Sequence, residues 1–267
     1  MLESIVRPKT AEKKPWDIFI IAVVFSFIAV GFAIQLFPAQ ASVFAISLIT
    51  IMFVPLFQKI FEIEEKKDYK LHKNIFDRHK DLFFVFGAFF IGIIIAMSAI
   101  YVFFPHTRSA FEMQESWYSA NGRQTITGQS SAQGAFWDFF VNNSEVMIMM
   151  FLLSIVFGAG AIFILAWNAS VIAVYVGYVI NNFIRAGISP ELAYILGVPA
   201  GVGSIALHGI PEILAYFLAA FAGGMLSVAV IREHLKGHFD KIFVDSLIFL
   251  AAAELLIVLA AFIEAYA

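Results

Sequence analysis

The stretch LFFVFGAFFIGIIIAMSAIYVFF, residues 82–104, runs for twenty-three residues without a charged side chain. A bilayer core of roughly 30 Å is crossed by about 20 apolar residues of helix, so this segment alone is long enough to span. The same character recurs on either side. Asp17 to Phe37, Glu145 to Ala166, Pro211 to Ile231 and Val244 to Ala265 reach that length, and the shorter Gln40 to Phe57 and Asn168 to Ile184 can span with little tilt. Across its 267 residues the chain is 61% hydrophobic and 14% charged. Soluble domains run at about 45–50% apolar and about 25% charged. A water-soluble enzyme, a disordered chain and a disulfide-built secreted module are thereby excluded, and the fold class is an all-α polytopic transmembrane helical bundle. With no cysteine, thiol catalysis, thiolate metal sites and disulfides drop out. A net charge of −3 gives no reason to expect nucleic acid. No phosphate loop or metal-ligand cluster stands in the sequence, and no cofactor is expected.

Positive charge sets the direction of the spans. Leu192 to Leu207 is short and holds Gly197, Pro199, Gly201 and Gly203, which weaken or break a helix. If this piece does not cross, fourteen of the seventeen basic residues fall on one side, leaving Arg108, Arg123 and Arg185 on the other. The expectation is about seven spans plus one broken non-crossing segment, in the plasma membrane, with the N-terminus cytoplasmic and the C-terminus outside. The chain then divides into an N-terminal arm and hairpin (1–57), a charged interfacial link (58–81) and a membrane bundle (82–267) with an outer loop at 105–135. The apolar run after Arg7, Lys9, Lys13 and Lys14 reads as a retained anchor rather than a signal peptide. Phe111, Trp117 and Tyr118 are candidate anchors of the outer loop, and Phe136, Trp137, Phe139 and Phe140 an aromatic belt.

Ionisable groups inside a membrane cost about 2.5–3.5 kcal/mol on insertion scales, so each one is a candidate site. Here they are Glu145, His208, Glu212 and Glu254, with Asn142, Asn143, Asn168, Asn181 and Asn182. Counting back from Arg232 places His208, Gly209 and Glu212 toward the outer leaflet, where Asn142, Asn143, Glu145, Asn181 and Asn182 also converge. Glu254 lies near the middle of the last span and Asn168 at an inner turn. Ser204, His208 and Glu212 follow one another at i, i+4 spacing. That pattern admits a serine nucleophile with a histidine base, a pair of metal ligands, or a brace for backbone groups freed by Pro211. His234 and His238 read as solvated loop residues. Gly158 with Gly160, and Gly223 with Gly224, read as points of close helix approach, within the bundle or in a homodimer.

Leu207-His208-Gly209-Ile210-Pro211-Glu212, followed by Ala222-Gly223-Gly224, resembles the signature of the stage II sporulation protein M family. Asn142-Asn143 ahead of a helix with Gly158 and Gly160, and Trp167-Asn168 in the next, agree with it. The resemblance covers roughly residues 82–267. The chain departs from the family at Leu207, where members often carry proline, and at Ala169, where they often carry glycine. In spore-forming bacteria the resemblance implies a membrane scaffold that localises cell-wall hydrolases during engulfment. The expected function is therefore a non-enzymatic organiser that meets the lipid bilayer and recruits protein partners through outer loop 105–135. The competitors are a transporter or channel using His208, Glu212 and Glu254, and an intramembrane hydrolase using Ser204 and His208.

Overall fold

The computed structural model describes residues 8–68, 75–121, 132–231 and 239–266. The described residues are almost wholly helical, with no strand among them. Nine α-helices follow one another among the described residues: α1 (Pro8–Lys13), α2 (Pro15–Leu36), α3 (Ala41–Asp68), α4 (Ile75–Phe103), α5 (Glu112–Asn121), α6 (Ala132–Phe157), α7 (Ala161–Arg185), α8 (Pro190–Ile231) and α9 (Phe239–Tyr266). Short 3₁₀ turns at Pro38–Gln40 and Pro105–Phe111 follow α2 and α4. Proline supplies the start of α2 and of both turns, where its missing N–H costs nothing. Seven helices, all but α1 and α5, are long and apolar enough to cross a membrane.

The second half of α8 is the central post of the bundle. From Ala215 to Ala229 every residue is buried, as a helix that is apolar all round must be. Phe217 stacks on Phe86 of α4 at 5.2 Å between ring centres, and Phe221 meets Phe61 of α3 and Phe249 of α9. Small residues let α8 come this close: a Cβ on Gly223 would collide with the Phe151 carbonyl oxygen and lie 2.6 Å from Ser154 Cβ of α6. One on Gly224 would lie 2.5 Å from the Phe61 ring.

Two sequence expectations are corrected here. The turn expected on the inner side lies at residues 158–160, not at Trp167 and Asn168, so the spans are α6 and α7 and Asn168 sits inside α7. Gly158 and Gly160 accordingly form the turn rather than a helix–helix contact within one span. Gly158 adopts φ +70° and Gly160 packs against the Leu153 carbonyl, where a Cβ would approach to 2.5 Å. Left-handed backbone is costly for any residue with a Cβ, so Gly158→Ala should lower stability by about 1–2 kcal/mol. Thermal unfolding in detergent would read that loss.

Leu192 to Leu207, in turn, is helical and continuous with the span that follows it. Gly197 and Gly201 do not break α8; they seat its first half on α7, where an added Cβ would lie 2.6 Å from Ile180 Cγ1 at Gly197 and 3.1 Å from Val176 Cγ2 at Gly201. Seven candidate spans remain, because 192–207 and 211–231 form a single helix of 42 residues. At 1.5 Å per residue that helix is roughly 63 Å long, about twice a bilayer core, so its first part is surplus to one crossing. The first part of the 58–81 link also continues α3 as far as Asp68. His234 and His238 lie outside the described residues.

Candidate functional site

Two polar assemblies stand out. The first joins α6, α8 and α9. The Tyr216 hydroxyl donates to Glu212 Oε1 at 2.8 Å, and Asn143 Oδ1 lies 3.4 Å from the same hydroxyl. Asn142 Nδ2 donates to that Asn143 oxygen at 3.1 Å. Glu264, in the last turn of α9, lies within electrostatic range of Glu212. Deeper in the bundle, Ser144 Oγ donates to Glu254 Oε1 at 3.0 Å, and Ser246 Oγ to the Ala222 carbonyl at 3.1 Å. In hydrocarbon each unsatisfied polar group is expensive, and these contacts answer most of them between helices.

The other sequence candidates are placed differently. Glu145 is exposed on α6 and has no partner among the described residues. Asn181 and Asn182 end α7, and the Asn182 carbonyl accepts the Ala186 N–H at 3.0 Å as part of the helix cap. Asn168 Nδ2 donates back to the Ile164 carbonyl. His208 is half-buried beside Gly209, where an added Cβ would touch only Ile205 of the same helix. Ser204 Oγ does not turn to His208. It donates to the Gly201 carbonyl at 2.7 Å and lies 2.7 Å from the Tyr175 hydroxyl. The structure thus brings Asn142, Asn143 and Glu212 together and adds Tyr216 and Glu264, which sequence reasoning missed. Tyr216 stands four residues after Glu212, and that i, i+4 spacing was the signal available.

The second assembly lies in residues 105–121, the described part of the expected outer loop. Residues 105–121 fold back onto the bundle rather than looping free. Phe111 and Gln114 are fully buried. Ser42 Oγ donates to the Ser109 carbonyl at 3.2 Å, and Gln114 Nε2 donates to Ser170 Oγ at 3.1 Å. The Tyr101 hydroxyl donates to Glu115 Oε1 at 2.6 Å, with the Arg108 guanidinium 5.0 Å from the centre of the Tyr101 ring. Tyr118 stacks on Tyr178 at 5.2 Å, and burial there, beside Tyr175 and Tyr178, pushes its phenol above the usual range. Of the three anchors read from sequence, Phe111 is buried and Tyr118 half-buried, while Trp117 remains 41% exposed beside Met113 at 49%.

Removing the Tyr216 hydroxyl gives a direct measure of the first assembly. Tyr216→Phe keeps the buried ring and should cost about 0.6–1.7 kcal/mol, the range of interhelical hydrogen bonds in membranes. Unfolding of the variant in mixed micelles would show it.

No curated protein and no solved structure matches the chain. A family model does match: that of stage II sporulation protein M, over residues 82–267, which takes in the outer segment and α6 to α9. A multi-span membrane protein of at least seven long apolar helices, with that match across most of its length, belongs to the stage II sporulation protein M family.

Proposed function

We propose that the chain organises partner proteins in the plasma membrane, acting by binding rather than by catalysis, with its N-terminus cytoplasmic and its C-terminus outside. The observation that carries this reading is the docked outer segment. The segment is pinned by Phe111, in the turn before α5, and by Gln114 and Tyr118 of α5, while Met113 and Trp117 on an adjoining face of α5 are 49% and 41% exposed. Large apolar side chains held on a fixed frame lose little entropy on binding and are the residue types that dominate protein interfaces. The polar contacts across α6, α8 and α9 fit a brace that keeps this frame in place.

The test is a paired substitution, Met113→Ala with Trp117→Ala, in the intact protein. Partner recovery after cross-linking in the native host should fall several-fold, by more than any loss of folded protein read in parallel by thermal unfolding. Unchanged recovery would count against the surface. Deleting 106–134 is a poorer experiment, since it also removes Phe111 and Gln114 from the bundle.

A second reading is favoured by one observation, the carboxyl groups of Glu212 and Glu254 held within spans by Tyr216 and Ser144. Two carboxyl groups there suit passage of a proton or a cation. Proteoliposome flux that disappears in Glu212→Gln would support it, and flux indifferent to that change would remove it.

A further inference from the structure

The outward face of α6 carries a stripe that nothing in the bundle covers. Asp138, Asn142, Glu145, Met149, Leu152 and Val156 follow one another at alternating spacings of four and three residues, and all six are exposed. That alternation is the 3.5-residue repeat with which one helix packs along another in a left-handed pair. Its depth makes the stripe unusual. Trp137 packs with Phe136 and Phe140 near the outer end of α6, where interfacial aromatic residues sit. Glu145 lies eight residues further along, roughly 12 Å deeper, close to the middle of a 30 Å core.

Neither Asp138 nor Glu145 has a hydrogen-bond or ionic partner among the described residues. Asn142 spends one of its two amide hydrogens on Asn143 and keeps the other. A carboxyl group facing lipid at this depth is costly unless a donor meets it. The neighbouring residues are no source of one: the adjoining α6 face is Val141, Ile148 and further apolar side chains. A second copy packed face to face would set Asp138 against Asp138 and Glu145 against Glu145 along the seam, a like-charge arrangement that interfaces avoid. The complementary surface is instead one that brings cations at the same depth.

We propose that this stripe of α6 is the docking surface for a transmembrane helix of a partner protein that carries lysine or arginine at the depth of Glu145. The inference rests on the reading of the chain as an organiser of partners and adds a contact inside the membrane to the one at the outer segment. Glu145 supplies the charge, Asn142 a hydrogen bond, and Met149, Leu152 and Val156 the apolar packing beneath them.

The experiment uses the full chain in phosphatidylcholine vesicles. Because the chain contains no cysteine, Ser119→Cys, on the exposed face of α5, takes a single donor dye. The probe is a synthetic leucine–alanine transmembrane helix with one central lysine and an acceptor dye, compared with the same helix bearing leucine instead. The lysine helix should give saturable energy transfer, weakened about tenfold or more by Glu145→Gln and by the leucine replacement in the peptide. The peptide arm leaves the chain untouched, so it stands even if a variant folds poorly. Equal transfer from both peptides, or transfer unaffected by Glu145→Gln, overturns the proposal. So does energy transfer between separately labelled copies of the chain that Glu145→Gln abolishes, since a second copy would then cover the face. Cross-linking at Met113 and Trp117 is a separate readout, so loss of the peptide result alone leaves the wider organising role standing.

Discussion

Replacing His79 by alanine is expected to lower stability by about 3–5 kcal/mol, the range for removing one member of a buried pair. His79 Nδ1 lies 2.5 Å from Glu64 Oε2, and the two side chains are 1% and 0% exposed. They join the end of α3 to the start of α4, and the imidazole also packs against Phe221 at 4.7 Å and Phe249 at 6.0 Å. Alanine removes the group that meets the buried carboxyl and opens a cavity beneath the central post. The cost comes chiefly from the polar mismatch, so replacing both members should largely cancel it. Glu64→Met with His79→Phe keeps the volume and the aromatic contacts, and should unfold close to the parent midpoint. Thermal unfolding of the single and double variants in the same detergent checks this. A double variant as unstable as His79→Ala would mean that the hydrogen-bonded pair itself stabilises the fold beyond what packing of the same volume supplies.

Gly223→Leu should be comparably damaging, for a steric reason. A Cβ at that position already collides with the Phe151 carbonyl, which belongs to the α6 backbone and cannot rotate away. Overpacking a well-filled interior costs about 1–3 kcal/mol, and leucine, which must push α6 off α8, belongs at or beyond the upper end. Separating those helices also parts Asn143 from Tyr216. The contrast is Gly87→Ala in α4, where nothing lies within 4 Å of the added Cβ. There the better helix propensity of alanine should raise stability by up to about 1 kcal/mol. Equal effects at the two glycines, measured by unfolding under one set of conditions, would contradict this packing.

The spans were legible because apolar length is a coarse and robust signal. All but the last of residues 82–104 fall inside α4, and Val244 to Ala265 inside α9. The inner turn was not legible, because the apolar run from Val146 to Trp167 has no polar break to mark it. Gly158 and Gly160 were the only punctuation, and glycine in such a run serves equally for a turn or for close helix contact. Start signals failed similarly at α6. Its first turns carry Gln133, Asp138, Asn142 and Asn143, whose polarity set the expected start of the span at Glu145, although a helix on the rim of a bundle tolerates them.

Asn143 and Glu212 were found because polar groups are conspicuous in an apolar chain. Tyr216 was not, since a tyrosine in an apolar stretch counts as one more aromatic ring until a carboxylate is seen beside it. Glu64 and His79 were hidden for the opposite reason. They stand in a charged stretch that reads as an aqueous link, fifteen residues apart, and only the extension of α3 and α4 past the expected boundaries buries them together. The outer segment read as a long polar loop from its Ser, Gln, Gly and Thr content. Its docking depends on Phe111 and Gln114 meeting α4 and α7, contacts that no local pattern encodes.

The most direct measurement for the organising role is site-specific photo-cross-linking from α5 in the native membrane. A photoreactive side chain at position 117, on the exposed face, is compared with one at position 114, buried against Ser170. Position 117 should yield discrete protein adducts that diminish when Met113 is also replaced by alanine, while position 114 should label only the chain itself. Lipid adducts alone from position 117, with no protein captured, would contradict a partner surface on the outer segment.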